Sequence, residues 1–215
     1  NREIRMKLIV FGSTGGTGRQ VVTQAIEQGN DVTAFARSPS KLKLKHEKLQ
    51  VVQGNVLDYE TVEQAIDGKD VVLCSLGLSA IMDKSNLRAS GKKNIIQAME
   101  KAGIKRFICQ SSNGVGDSRG ELPFFMKYII VPFMLRRVFA DHEIQENYVK
   151  KSQLDWIIVR PVALIDGERT GSYQYDYTAE NKTVTYKISR ADVADFMLKQ
   201  LNSNDYLHKT PNISY

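Results

Sequence analysis

The chain has 215 residues, 42% hydrophobic and 25% charged, with 30 Lys and Arg against 24 Asp and Glu for a net charge of +6. That supplies one well-cored domain and too little for two, and with only 15 Gly and 5 Pro it excludes collagen-like, mucin-like and disordered classes. Two cysteines, Cys74 and Cys109, each inside an apolar run, exclude a disulfide scaffold and read as buried free thiols of a reducing, cytoplasmic compartment.

Residues 1–5 carry no pattern and read as a leader or expression remnant, leaving 6–215 as the domain. A strand is predicted at Leu8-Ile9-Val10-Phe11, followed by a glycine-rich loop and a helical stripe of Val21, Val22, Ala25 and Ile26 that stops at Gly29. Strands follow at Val32-Thr33-Ala34-Phe35 and Leu49-Gln50-Val51-Val52. Next come a helix through Val62, Ala65 and Ile66 ending at Gly68, and a strand at Val71-Val72-Leu73-Cys74. A helix through Ile95, Ile96 and Met99 ends at Gly103, and further strands fall at Phe107-Ile108-Cys109 and Trp156-Ile157-Ile158-Val159. The strands are continuous apolar runs, the pattern of a parallel sheet covered on both faces. Strand and helix alternating this often predict an α/β fold: a Rossmann-type doubly wound parallel sheet in a single domain, with a small C-terminal substrate-side portion.

The strongest motif is Gly12-Ser13-Thr14-Gly15-Gly16-Thr17-Gly18, placed directly between the first strand and the first helix. Gly12 permits the turn, Gly15 lets the backbone approach a pyrophosphate, and Gly18 lets the helix pack on the sheet. The helix start then offers N–H groups and a positive dipole end to phosphates, with Thr14, Gly16 and Thr17 completing the loop. No Gly-Lys-Ser/Thr follows, so a Walker-type loop is excluded.

The second strand ends Ala34-Phe35-Ala36-Arg37-Ser38, with Asp31 at the opposite end. A site for NAD(H) wants an acid where Arg37 stands. Arg37, with Ser38 and Lys41, instead suits a 2′-phosphate, so NADP(H) is favoured over NAD(H). The basic residues are otherwise scattered, and the run Lys41–Lys48 reads as a solvated surface; nucleic acid is not an expected partner. No segment is long and apolar enough to span a membrane, and no metal site is expected.

With these residues in view, the chain resembles an atypical short-chain dehydrogenase/reductase of the NAD(P)H-binding, NmrA-like group, and most of all the flavin reductase/biliverdin-IXβ reductase family. The likeness runs from about Lys7 to the C-terminus. Besides Gly12–Gly18 and Arg37-Ser38, it is carried by Gly54-Asn55-Val56-Leu57-Asp58, Leu76-Gly77 and Gly91-Lys92-Lys93-Asn94. The later carriers are Ser111-Ser112, Val159-Arg160-Pro161 and Ser189-Arg190-Ala191-Asp192-Val193-Ala194. The resemblance implies that Asn55 and Val56 flank the adenine, that Leu76 and Gly77 wall the ribose and nicotinamide, and that Pro161 and Val162 lie near the carboxamide. Ser111 joins the cofactor site, and Ser112 takes the active-site serine position. The family usually has Asp where Asn55 stands, and a histidine where Val162 stands.

The wider superfamily uses a Tyr-x-x-x-Lys pair as proton donor, and no Tyr in this chain has a Lys four residues on. The corresponding stretch reads Val138-Phe139-Ala140-Asp141-His142, and His142 is ranked below Ser112. Flavins and quinones accept hydride with little help from a protein acid, because their reduced anions are delocalised. The expected function is therefore an NADPH-dependent reductase of a planar flavin- or quinone-like small molecule, acting as monomer or homodimer. A non-catalytic NADP(H) sensor is the alternative. The apolar stretch 122–137 is a candidate roof, lid or dimer face. The tyrosines of Gly171–Tyr177 are expected to share one face and to help close the same pocket.

Overall fold

A computed structural model describes residues 5–77, 87–121, 136–177 and 184–215. The strands are β1 (Lys7–Phe11), β2 (Asp31–Ala36), β3 (Leu49–Gln53), β4 (Val71–Cys74), β5 (Arg106–Gln110), β6 (Asp155–Pro161), β7 (Ala163–Ile165), β8 (Gln174–Tyr175), β9 (Lys187–Ser189) and β10 (Asn212–Ser214). All but β7 and β9 form an eight-stranded sheet in the order β3-β2-β1-β4-β5-β6-β10-β8. Every pairing is parallel except β10 with β8. The order turns back between β1 and β4, and such a switch point opens a crevice at the carboxyl ends of the strands.

Alternate side chains of each central strand enter two separate cores. Leu8, Val10, Leu73, Ile108 and Ile157 pack under α1 (Gly16–Glu27) and α5 (Arg190–Lys199). Ile9, Phe11, Val72, Cys74, Cys109 and Ile158 pack under α2 (Tyr59–Ile66), α3 (Leu87–Ala102) and α4 (Arg136–Lys150). Cover on both faces is why these strands read as unbroken apolar runs. The helices stop where the glycines predicted, Gly29, Gly68 and Gly103 all having positive φ. Cys74 and Cys109 are free and buried, as expected.

β3 departs from the expectation of full cover. It is the sheet edge, with Gln50, Val51 and Gln53 exposed. Three further features carried no signal: β10, and the parallel ribbon of β7 (Ala163–Ile165) with β9 (Lys187–Ser189). Each spans three residues, too few to show a period. The tyrosines of 171–177 also fall otherwise than expected. Tyr177 is buried and Tyr175 is 53% exposed, so they do not share one environment. Tyr173 and Tyr175 line a cavity with Phe196 and Tyr206, and none of its lining residues belongs to the crevice described below. The apolar stretch 122–135 lies outside the described residues.

The start of α5 shows what the Ser189–Asp192 motif does. Ser189 caps the helix, its Oγ accepting from the Asp192 N–H at 3.0 Å. The Asp192 carboxylate is buried and accepts from the N–H of Thr170 and of Gly171, each at 2.8 Å, and from the Tyr215 hydroxyl at 2.5 Å. Burial pushes this carboxyl up, but the hydrogen bonds from Tyr215, Gly171 and Thr170 outweigh it and hold the group below the ordinary carboxylate value. A depressed folded value means stability that is full above the unfolded value of about 4 and lost as pH falls through the folded one. Asp192→Asn should therefore lower the thermal midpoint at neutral pH and flatten its decline in acid. Parallel acid melting curves for variant and unmodified protein would contradict this.

Candidate dinucleotide-binding site

The crevice begins at the loop between β1 and α1. Gly12 has φ +79, and a Cβ there would stand 2.4 Å from the Ser75 carbonyl oxygen, so β1 and the end of β4 approach as only glycine allows. A Cβ at Gly18 would stand 2.1 Å from the Gly12 carbonyl oxygen, which sets how closely α1 packs on its own loop. Ser13 is fully buried and its hydroxyl donates to the Phe35 carbonyl at 2.9 Å, tying the loop to the end of β2.

The helix ends themselves separate a ligand site from ordinary structure. α2 and α5 are capped by the side chains of Asp58 and Ser189 and carry Glu60 and Asp192 in their first turns. α1 has Gly15 at its N-cap, no capping side chain and no acid in its first turn. Its N-terminal charge is left for an anion from outside.

The opposite wall is the 54–57 loop, and the Gly91–Asn94 motif explains how it is held. A Cβ at Gly91 would stand 2.7 Å from the Val56 side chain, and the Asn94 amide donates to the Val56 carbonyl at 2.9 Å. Lys92 between them is fully buried and donates to the Gln110 carbonyl at 3.2 Å.

Together these elements enclose a groove of about 270 Å³. Of the residues named from the sequence, Gly12, Thr14, Gly15, Arg37, Lys41, Val56, Leu76 and Gly77 line it, and Phe35 forms part of its wall. Among the described residues, the lining contains two cations and no carboxylate. Asp31 sits at the start of β2, where its carboxylate pairs with Arg5. A dinucleotide fits these residues: an uncapped helix start for the pyrophosphate, glycine backbone where a side chain would intrude, and cations at the end of β2.

The remaining named residues lie beside or beyond this groove. Gly16 is exposed, Thr17 and Gly18 are buried beneath the loop, and Ser38 is exposed just before the turn Pro39–Lys41. Asn55 is exposed, and its Oδ1 accepts from the Leu57 N–H at 3.1 Å. Ser111, Ser112, Pro161 and Val162 stand at the ends of β5 and β6, further along the sheet. Val162 is buried in the core under α1 and α5, and its N–H donates to the Ile213 carbonyl at 3.2 Å.

The two serines differ. The Ser112 hydroxyl donates to the Asn113 carbonyl at 3.2 Å. Ser111 is buried, with Oγ 3.5 Å from His142 Nδ1, and Glu146 follows His142 by one turn of α4. Glu146 in turn accepts two bonds from Arg160, at 3.0 Å from Nε and 2.6 Å from Nη2. Burial pushes the Glu146 carboxyl up, and Arg160, Ser111 and Lys150 more than reverse it, leaving it below the usual range. The sequence offered Arg160 only as part of Val159-Arg160-Pro161; its buried partner, fourteen residues earlier on α4, gave no signal. Burial also pushes the Cys109 thiol up to about 12 and raises that of Cys74, so neither is a ready nucleophile.

An open parallel sheet with a glycine loop, an uncapped α1 and a crevice at its switch point defines a dinucleotide-binding Rossmann domain. Comparison with known proteins gives the family: the model for NAD(P)H-binding proteins matches residues 12–204, and the chain belongs to that family. It is 29% identical over 217 residues to the photosystem II assembly factor Ycf39 of Synechocystis sp., covering 95% of this chain and 61% of that protein. The chain thus spans less than two thirds of that relative. Among solved structures it superposes on ChuY, named as an anaerobillin reductase of Escherichia coli O157:H7. There the TM-score is 0.77 and the identity 26%, over 97% of this chain and 96% of that one. The oxidoreductase ylbE of Lactococcus lactis matches with TM-score 0.81 and 23% identity, over 97% and 90% of the two chains. The family is the NAD(P)H-binding one that the sequence motifs indicated, and the superpositions show the same fold. Among the described residues, no helix is long and apolar enough to cross a membrane.

Proposed function

We propose that this protein is an NADPH-dependent reductase of a planar, conjugated acceptor of the flavin or quinone type. The observation that carries the cofactor half is the groove itself, which opens on an uncapped α1 and is lined by Arg37 and Lys41 with no carboxylate among the described residues. The N–H groups at the start of α1 hold the pyrophosphate, Val56 and the end of β2 hold the adenosine, and Leu76 and Gly77 lead towards the nicotinamide. Pro161 and Ser112, at the ends of β6 and β5, lie further along that path. When bound, the cofactor supplies the hydride, and the protein's task is to hold donor and acceptor rings together and exclude water.

The acceptor half rests on chemistry. The Tyr-Lys pair that would protonate an alkoxide is missing, and the Ser112 hydroxyl is given to a backbone carbonyl. A ketone substrate needs an acid at its oxygen; a flavin or quinone does not. A similar structure named as an anaerobillin reductase supports the reductase reading. Arg37→Ala is expected to narrow the preference for NADPH over NADH by about 1–3 kcal/mol, the scale of a charged hydrogen bond. An unchanged ratio of dissociation constants would remove Arg37 from the site.

The engaged Ser112 hydroxyl also favours a second reading, a non-catalytic NADP(H)-binding protein, and a relative named as an assembly factor is consistent with it. NADPH consumption against free flavins and a set of quinones separates the two. Turnover that saturates in acceptor establishes the reductase. Tight NADPH binding without turnover leaves the non-catalytic protein.

A further inference from the structure

The groove's cations do not end at Lys41. A second cavity of about 400 Å³ lies on the outer side of α1, lined by Arg19, Thr23, Lys41, Leu42, Lys43 and Leu44. Lys41 is the one residue common to this cavity and the groove. Among the described residues, three of the six that line it are cations, none is acidic, and Leu42 is buried beneath them.

The pairing of arginines elsewhere makes this corner unusual. Arg5, Arg160, Arg169 and Arg190 each meet a carboxylate, while Arg106, far from the groove at the start of β5, is held by the Asn204 side-chain carbonyl instead. Among the described residues, Arg19, Arg37 and Lys41 have none within ion-pair distance. Arg19 Nη2 donates instead to the Lys41 carbonyl at 3.0 Å, so the guanidinium is fixed against the turn Pro39–Lys41. One of its five N–H donors is used there, and the others are available to an anion.

We propose that Arg19 is a second arm of the 2′-phosphate site: it supplies positive charge from the α1 side and positions Lys41 by gripping the backbone of its turn. This rests on the NADPH reading above and adds a specificity-determining residue to it. The 2′-phosphate would stand where groove and outer cavity meet, between Arg37 on β2's end and Arg19 on α1. A planar guanidinium offering two parallel donors suits a phosphate there better than the point charge of a lysine.

Binding of two fragments tests it without any turnover: adenosine 2′,5′-bisphosphate and adenosine 5′-monophosphate, titrated calorimetrically against the unmodified protein, Arg19→Gln and Arg19→Lys. Arg19→Gln keeps an amide donor for the Lys41 carbonyl, and its melting temperature checks the fold. The expected result is a loss of about tenfold in bisphosphate affinity for Arg19→Gln, with partial recovery in Arg19→Lys and the monophosphate unchanged. A bisphosphate affinity that stays within twofold, or a fall by the same factor for both fragments, overturns the role of Arg19. Equal binding of the two fragments by the unmodified protein overturns the NADPH reading itself, and Arg19 with it.

Discussion

Glu146→Ala should lower the free energy of unfolding by about 3–5 kcal/mol, the scale of breaking a buried ion pair from one side. Arg160 is 1% exposed and gives Glu146 two of its hydrogen bonds. Its other ionic partner, Asp117 at 2.8 Å, has a side chain 75% exposed and cannot replace a carboxylate inside the protein. Removing Glu146 leaves a guanidinium desolvated and largely uncompensated. Glu146→Gln, which keeps an acceptor, should cost less, and Glu146→Leu with Arg160→Met should recover much of the loss because no charge is then left buried. Urea unfolding of the three variants checks the set. A loss under about 1 kcal/mol for Glu146→Ala would mean that water reaches Arg160 in the folded protein.

Gly12→Ala should be nearly as damaging to stability and far more so to cofactor binding. At φ +79 any side chain is strained, costing about 1–3 kcal/mol, and overpacking adds about 1–3 kcal/mol. The added carbon would meet backbone, 2.4 Å from the Ser75 oxygen, and that backbone is itself fixed by the Ser75 N–H bonded to the Phe11 carbonyl at 2.9 Å. The loop must move to relieve the clash, and the start of α1 moves with it. NADPH affinity is expected to fall more than about tenfold, since a shift there costs at least one charge-assisted bond to the phosphates. Gly68→Ala is the control: its φ is +67, but nothing lies within 4 Å of an added carbon. It should show strain alone and bind cofactor normally. Equal binding losses in both would show that the effect is a general one on folding.

Most of the central sheet was legible because burial on both faces writes itself as apolar runs, and the helix stops because glycine relieves a left-handed end. The groove was legible for a related reason. Gly12, Gly15 and Gly18 act through backbone and need no partner from elsewhere in the chain, and Arg37 follows directly from where β2 ends. What escaped was tertiary. The Glu146–Arg160 pair, the Ser111–His142 contact and the Asn94 grip on Val56 each join residues from separate elements. Nothing local distinguishes Ser111 from Ser112; only the placement of α4 turns one towards His142 and leaves the other to its own backbone. The short strands β7, β9 and β10 were missed because three residues show no periodicity, and β3 read as covered because its apolar residues match those of an inner strand.

The most direct measurement is a pair of calorimetric titrations of the unmodified protein, NADPH in one and NADH in the other, at the same ionic strength. An uncapped α1 and a groove whose described residues include two cations and no carboxylate predict that both bind and that NADPH binds tighter by about tenfold or more. Equal affinities, or a preference for NADH, would contradict the account.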